Sequence, residues 1–203
     1  MFGRRLRSVR RIKHKGKPLG EILEKHERFH RQLPEGEQAN LGGADLSRAD
    51  LSQRNLSRAI LTGAHLEGCN LRGARLTFAD LRACKLRRAD LRNCDLTEAN
   101  LEEADLAGAD LSGAELFRAD LRSANMRKCT LRGTVLRQAN LGGADLSGSD
   151  LTLASVRELG LDGVKLEGTN ITAAVVRDIL PEDRNVQTHN DLQQGGKAAR
   201  AGG

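Results

Sequence analysis

From residue 39 to residue 53 the chain reads ANLGG ADLSR ADLSQ, three five-residue units of one form. The form persists well beyond this stretch. Leu recurs at every fifth residue from Leu41 onward, in 24 of 27 positions, with Met126, Val156 and Ile171 in the others. Two residues before each stands a small residue, Ala in 17 units and Cys in four. Between the two lies Asp or Asn in 17 units, so the unit is A-(D/N)-L-x-x. A period of five fits neither a helix nor a continuous strand. In an extended segment the small residue and Leu point to one side and the Asp or Asn to the other. An odd period would flip the next unit to the wrong face. The last two residues must therefore turn the chain, and Gly43, Gly63, Gly68 and Gly73 at the second of them suit such a corner. The chain winds into a coil with Leu and Ala inside.

Sorting the second corner position by 20-residue phase tests how many units make one coil. Three phases contain Gly; the fourth reads Arg58, Phe78, Glu98, Arg118, Gln138, Glu158. Four units per coil is favoured, and about seven coils stacked ~4.8 Å apart span roughly 33 Å. Composition agrees with a repeat. Aromatics are 2% of the 203 residues, so no ordinary aromatic-rich core forms. Charged residues at 30% and apolar residues at 38% lean toward disorder, but the regular Leu and Ala spacing argues for order. No apolar run is long enough for a transmembrane helix, and none follows the basic start as in a secretory signal. A cytoplasmic setting is expected, membrane-peripheral if the basic start binds lipid.

These units resemble the pentapeptide-repeat family over residues 39 to about 172. The resemblance implies an all-β solenoid, a right-handed quadrilateral parallel β-helix, and allows side-by-side or end-to-end homodimers. Around it the chain divides into a basic arm (1–18, disordered or amphipathic), an N-terminal capping helix (19–38), a C-terminal cap (173–184) and a disordered polar tail (185–203). Leu19, Ile22, Leu23, His26, Phe29 and Leu33 share one helical face, and Pro34 and Gly36 stop that helix. Its I-L-x-x-H pattern looks like the leader helix of other bacterial pentapeptide stacks. At the far end Thr172 to Leu180 reads as a short helix ended by Pro181. Within the stack, Arg54 occupies an inward slot and must escape to solvent. Leu159 and Val164 overfill the Ala slot, so the coil is expected to change shape near 159–165.

Catalytic chemistry is poorly represented. His26-Glu27-Arg28-Phe29-His30 matches H-E-x-x-H, which on a helix places two His for zinc and a Glu as base. A third ligand and a dry pocket are not evident, and capping the stack explains both His residues better. Cys69, Cys84, Cys94 and Cys129 all fill the inward slot and read as reduced packing residues. With no nucleophile–base pair, phosphate loop or dinucleotide fingerprint, the expectation is a protein that is not an enzyme and uses no cofactor or metal.

Charge is more informative. The net +6 arises within residues 1–38, which hold 11 basic and five acidic groups. Arg4, Arg5, Arg7, Arg10, Arg11, Lys13, Lys15 and Lys17 precede any acid, and such an arm suits an anionic membrane or nucleic acid. Within the stack, residues 71–94 and 121–144 are basic bands and 95–120 an acidic one. The fourth phase is an outlier: Arg58, Arg75, Phe78, Phe117, Arg118, Arg137 and Arg157 carry the residue types that interfaces favour. The expected function is a protein-binding or scaffold module that presents this face to a protein partner. The alternative, from the family, is a DNA-mimicking modulator of a type II topoisomerase, which calls for an acidic surface.

Overall fold

The computed structural model describes residues 6–157, 159 and 161–177, the last three through their backbone. The middle residue of each unit pairs in parallel with the residue 20 positions on, from Asn40 with Ile60 through Asp150 with Asn170. Four units therefore complete one coil. Most of these contacts are single-residue bridges, because each side of the coil is too short for a longer strand.

The unit Asp110–Ala114 shows why five residues suffice. Asp110 N–H donates to Ala89 O of the coil before, and Leu111 and Gly113 N–H donate to Thr130 O and Arg132 O of the coil after. Ala114 N–H closes the turn onto Leu111 O. Ser112 N–H would be left over, and Asp110 Oδ1 accepts it at 3.0 Å. The Asp or Asn of the repeat thus satisfies the one amide that the ladder cannot reach. Among the described residues the second corner residue has positive φ in every unit, Gly or not: Gly113 at 69°, Phe78 at 58°, Arg118 at 54°.

The core is a continuous column of buried Leu and Ala from Leu41 to Leu161. Each buried Leu contributes about 2 kcal/mol relative to exposure. At several slots where Ala is replaced, the new side chain bonds inward. Cys84, Cys94, Cys129 and Ser149 donate to the carbonyls of Leu61, Leu71, Leu106 and Met126. Arg54 escapes to solvent, as its charge demands.

The N-terminal end is covered differently from the expectation of a free arm. Residues 9–11 form a 3-10 turn, and β1 (Lys13–His14) pairs antiparallel with β2 (Lys17–Pro18). Ile12 is buried in the core. Arg7 extends the first coil: its N–H donates to Arg48 O at 2.6 Å, its carbonyl accepts from Asp50 N–H, and its guanidinium meets Asp45 at 3.0 Å. Over residues 6–18 the chain is therefore neither disordered nor one amphipathic helix; residues 1–5 lie outside the described residues. Helix α1 (Leu19–His30) follows, with Leu19, Leu23 and His26 buried against the first coil. It ends with Gln32 N–H on Phe29 O and Leu33 N–H on Arg28 O, with Gln32 at φ 54°. Phe29 and Leu33, expected on the buried face, are exposed: Leu33 lies beyond the end of α1, and at the last turn His30, not Phe29, meets the coil, at Ser57 O.

At the other end the helix expected from Thr172 is not formed over residues 172–177. Ala174 and Val176 fall in the small and Leu slots, and β4 (Val175–Arg177) pairs in parallel with β3 (Ser155–Arg157). The remainder of the C-terminal cap and the tail lie outside the described residues. Leu159 is buried in its inward slot, and Val164 packs against the core. The ladder runs on through Asp145 with Lys165, so the coil path is maintained across 161–173.

Candidate interaction surfaces

The fourth-phase corner carries a ladder of arginines and rings. The Arg58 guanidinium lies 5.6 Å from the centroid of Phe78, which is 51% exposed. One coil further past Glu98, the half-buried Phe117 sits under two cations, Arg118 at 4.9 Å and Arg137 at 5.6 Å. Arg118 also donates to Gln138 Oε1 at 2.9 Å. Arg75 is exposed at a middle slot, and Arg157 is half-buried in β3. Arg75, Glu115 and Val135 hold slots that elsewhere carry Asp or Asn, so the amides of Thr77, Phe117 and Arg137 lack the side-chain cap. The structure brings Arg58 and Phe78 together, and separately Phe117, Arg118 and Arg137, along one edge.

The arginines of the other three faces behave differently. Arg87, Arg92, Arg127 and Arg132 reach Asp105, Asp110, Asp145 and Asp150 of the next coil at 3.4, 3.7, 3.0 and 3.5 Å. Arg122 reaches back to Glu102 at 3.3 Å. The charge bands therefore bind coil to coil, each exposed pair contributing modestly. Arg82 holds the Asp80 carboxyl down to about 2 by its hydrogen bond.

Of the arm residues, Arg10, Arg11, Lys13, Lys15 and Lys17 are exposed at the capped end, Arg7 is spent on the first coil, and Arg4 and Arg5 are outside the described residues. Sequence reasoning missed the role of Arg7, which carries no local signal.

The H-E-x-x-H segment does lie on a helix, and His26 and His30 bring their Nε2 atoms within 3.2 Å. His26 Nδ1, however, accepts Ala39 N–H at 3.0 Å. An Nε2-bound metal ligand carries its proton on Nδ1 and donates it, the reverse of this arrangement. His30 Nε2 donates to Ser57 O at 2.7 Å, and Glu27 is exposed. Among the described residues no three His, Cys, Asp or Glu side chains are grouped to hold a metal ion. The residues present do not fit zinc; they close the end of the stack. Burial, with His30 second, lowers His26 to about 4. Burial also pushes the thiols of Cys84, Cys94 and Cys129 up to about 12, far from a reactive range.

A family model described as pentapeptide repeats matches residues 39–77, 74–113 and 114–152. The chain belongs to the pentapeptide-repeat family. Solved members of it resemble this chain. HetL of the cyanobacterium Nostoc sp. strain PCC 7120, involved in heterocyst differentiation regulation, is 31% identical over 67% of this chain and 82% of its own, with a TM-score of 0.34. A pentapeptide repeat protein of the Arabidopsis thaliana thylakoid lumen is 31% identical over 59% of this chain and 69% of its own, at 0.42. QnrB1, a plasmid-mediated fluoroquinolone resistance protein, is 24% identical over 66% and 89%, at 0.33. No curated protein sequence matches the chain.

Proposed function

We propose that this pentapeptide-repeat protein is a non-enzymatic binding module, a right-handed quadrilateral β-helix of about seven coils that presents its fourth-phase corner to a protein partner. The observation that carries the reading is the pairing of Arg58 with Phe78 and of Arg118 and Arg137 with Phe117. Aromatic side chains and arginine are enriched in protein interfaces, and arginine among their energetic anchors. A rigid ladder also holds them before binding, so little side-chain entropy is lost on docking. The exposed Arg10, Arg11, Lys13, Lys15 and Lys17 form a basic end that suits tethering to an anionic surface.

Affinity capture from source-cell lysate at high salt tests the reading. A protein retained by the wild-type chain and lost on reversing Arg118 and Arg137 to Glu is the expected outcome. Equal retention by both proteins contradicts the assignment of this corner. The topoisomerase alternative requires a continuous acidic surface, whereas here the carboxylates of the stack are interleaved with arginines that pair them. No effect on gyrase supercoiling at micromolar protein is expected.

A further inference from the structure

The corner two units away, diagonally across the coil, carries a second regularity. Its second position reads Arg48, Gly68, Arg88, Gly108, Lys128, Gly148. The three basic residues share φ 56° and are exposed. Each stem runs along the axis over the glycine of the next coil. The Cγ atoms of Arg48, Arg88 and Lys128 lie 3.7, 3.6 and 3.5 Å from where a Cβ on Gly68, Gly108 and Gly148 would sit. Each stem thus lies at van der Waals distance over the glycine one coil on. The result is a comb with one tooth every two coils, about 9.6 Å apart.

The carboxylates on either side are already engaged. Asp45, Asp105 and Asp145 face Arg7, Arg87 and Arg127. Asp90 and Asp110 share Arg92, and Asp150 faces Arg132. Asp50 accepts from Ser52 and Asn70. Among the described residues none of the three comb cations has a carboxylate partner. With Lys85, which reaches His65 at 3.3 Å, they are the charge of this edge that no carboxylate pairs.

From this we infer that Arg48, Arg88 and Lys128 form a docking comb for an acidic peptide segment in the polyproline II conformation. That helix has three residues per turn and a rise of ~3.1 Å, so every third residue faces one side about 9.3 Å apart. Carboxylates at i, i+3 and i+6 match the teeth. A β-strand brings same-side residues round every ~6.6 Å, which does not match. Phosphates along one strand of a duplex advance ~3.4 Å per nucleotide, and no aromatic side chain on this corner offers a base a stacking surface. The surface is separate from the Arg–Phe corner and does not rest on it.

The test is fluorescence anisotropy on the full chain at physiological salt. The probes are an Asp-Pro-Pro repeat peptide, an equally charged Asp-Pro repeat and inorganic polyphosphate. The variant is Arg48→Gly, Arg88→Gly, Lys128→Gly, since glycine suits φ 56° and adopts it at the intervening positions. The Asp-Pro-Pro peptide should bind the wild type, and the variant should lose about tenfold in affinity. Phe78→Ala with Phe117→Ala should bind that peptide as the wild type does. Equal binding of the two peptides, undiminished binding by the glycine variant, or preference for polyphosphate would each overturn the proposal.

Discussion

Asp110 holds the amide of Ser112 at 3.0 Å, and similar caps recur wherever Asp or Asn fills the middle slot. Asp110→Ala should therefore cost about 1 kcal/mol, the usual loss for a capping side chain, in chemical denaturation. Thr130 is the informative converse. It sits between Asp110 and Asp150 in its column and leaves the Arg132 amide uncapped. Thr130→Asn should stabilise by about 0.5–1 kcal/mol, because Asn also donates to the Asp one coil before, as Asn70 does to Asp50 at 2.9 Å. Glycine substitutions separate two effects. A Cβ on Gly63 meets nothing within 4 Å, so Gly63→Ala pays only for φ 64°, about 1 kcal/mol. A Cβ on Gly36 would lie 2.5 Å from Phe29 N, so Gly36→Ala must displace α1 and should lower the denaturation midpoint well beyond Gly63→Ala.

The N-terminal cap is the element on which solution pH acts. His26 is neutral in the fold, with Nδ1 accepting from Ala39 and Nε2 beside His30. Its folded value of about 4 lies below the ordinary 6.5. The unfolded chain then binds the extra proton between these values, so stability is full above pH 6.5 and falls as pH drops toward 4. The melting temperature should decline across that window, and His26→Gln should flatten the decline. A slope unchanged by that substitution would assign the effect elsewhere. The two ends also show what a sequence can and cannot reveal. The five-residue unit was legible because Leu and Ala recur many times, and the 20-residue coil because one phase of the corner lacks Gly. α1 was legible from Leu19, Leu23 and His26. The hairpin of Lys13–Pro18 was not, because strands of two residues leave no periodicity. The final strand was hidden because Ala174, Val175 and Val176 lack the Asp or Asn and the Leu that mark the repeat, even though Val favours a strand. Arg7 docks through its backbone, which no side-chain pattern announces.

Across the molecule, the charged surface of the stack is divided between edges. On the faces other than the fourth-phase corner, Arg87, Arg92, Arg122 and Arg127 are tied to carboxylates between coils, while Arg48, Arg88 and Lys128 are not. The fourth-phase corner places arginine on rings, and its phase was legible as the one without corner glycines. The ring contacts themselves were not legible, since they depend on which corner residues stack one coil apart. The same corner leaves the Phe117 and Arg137 amides without caps, so they should exchange with solvent faster than the capped Ser112 amide. Hydrogen exchange on the chain with its captured protein partner shows which face docks. Docking on the fourth-phase corner should slow exchange at Thr77, Phe117 and Arg137 and change it little along the ion-paired faces. Unchanged exchange at those three amides with protection on another face would contradict it.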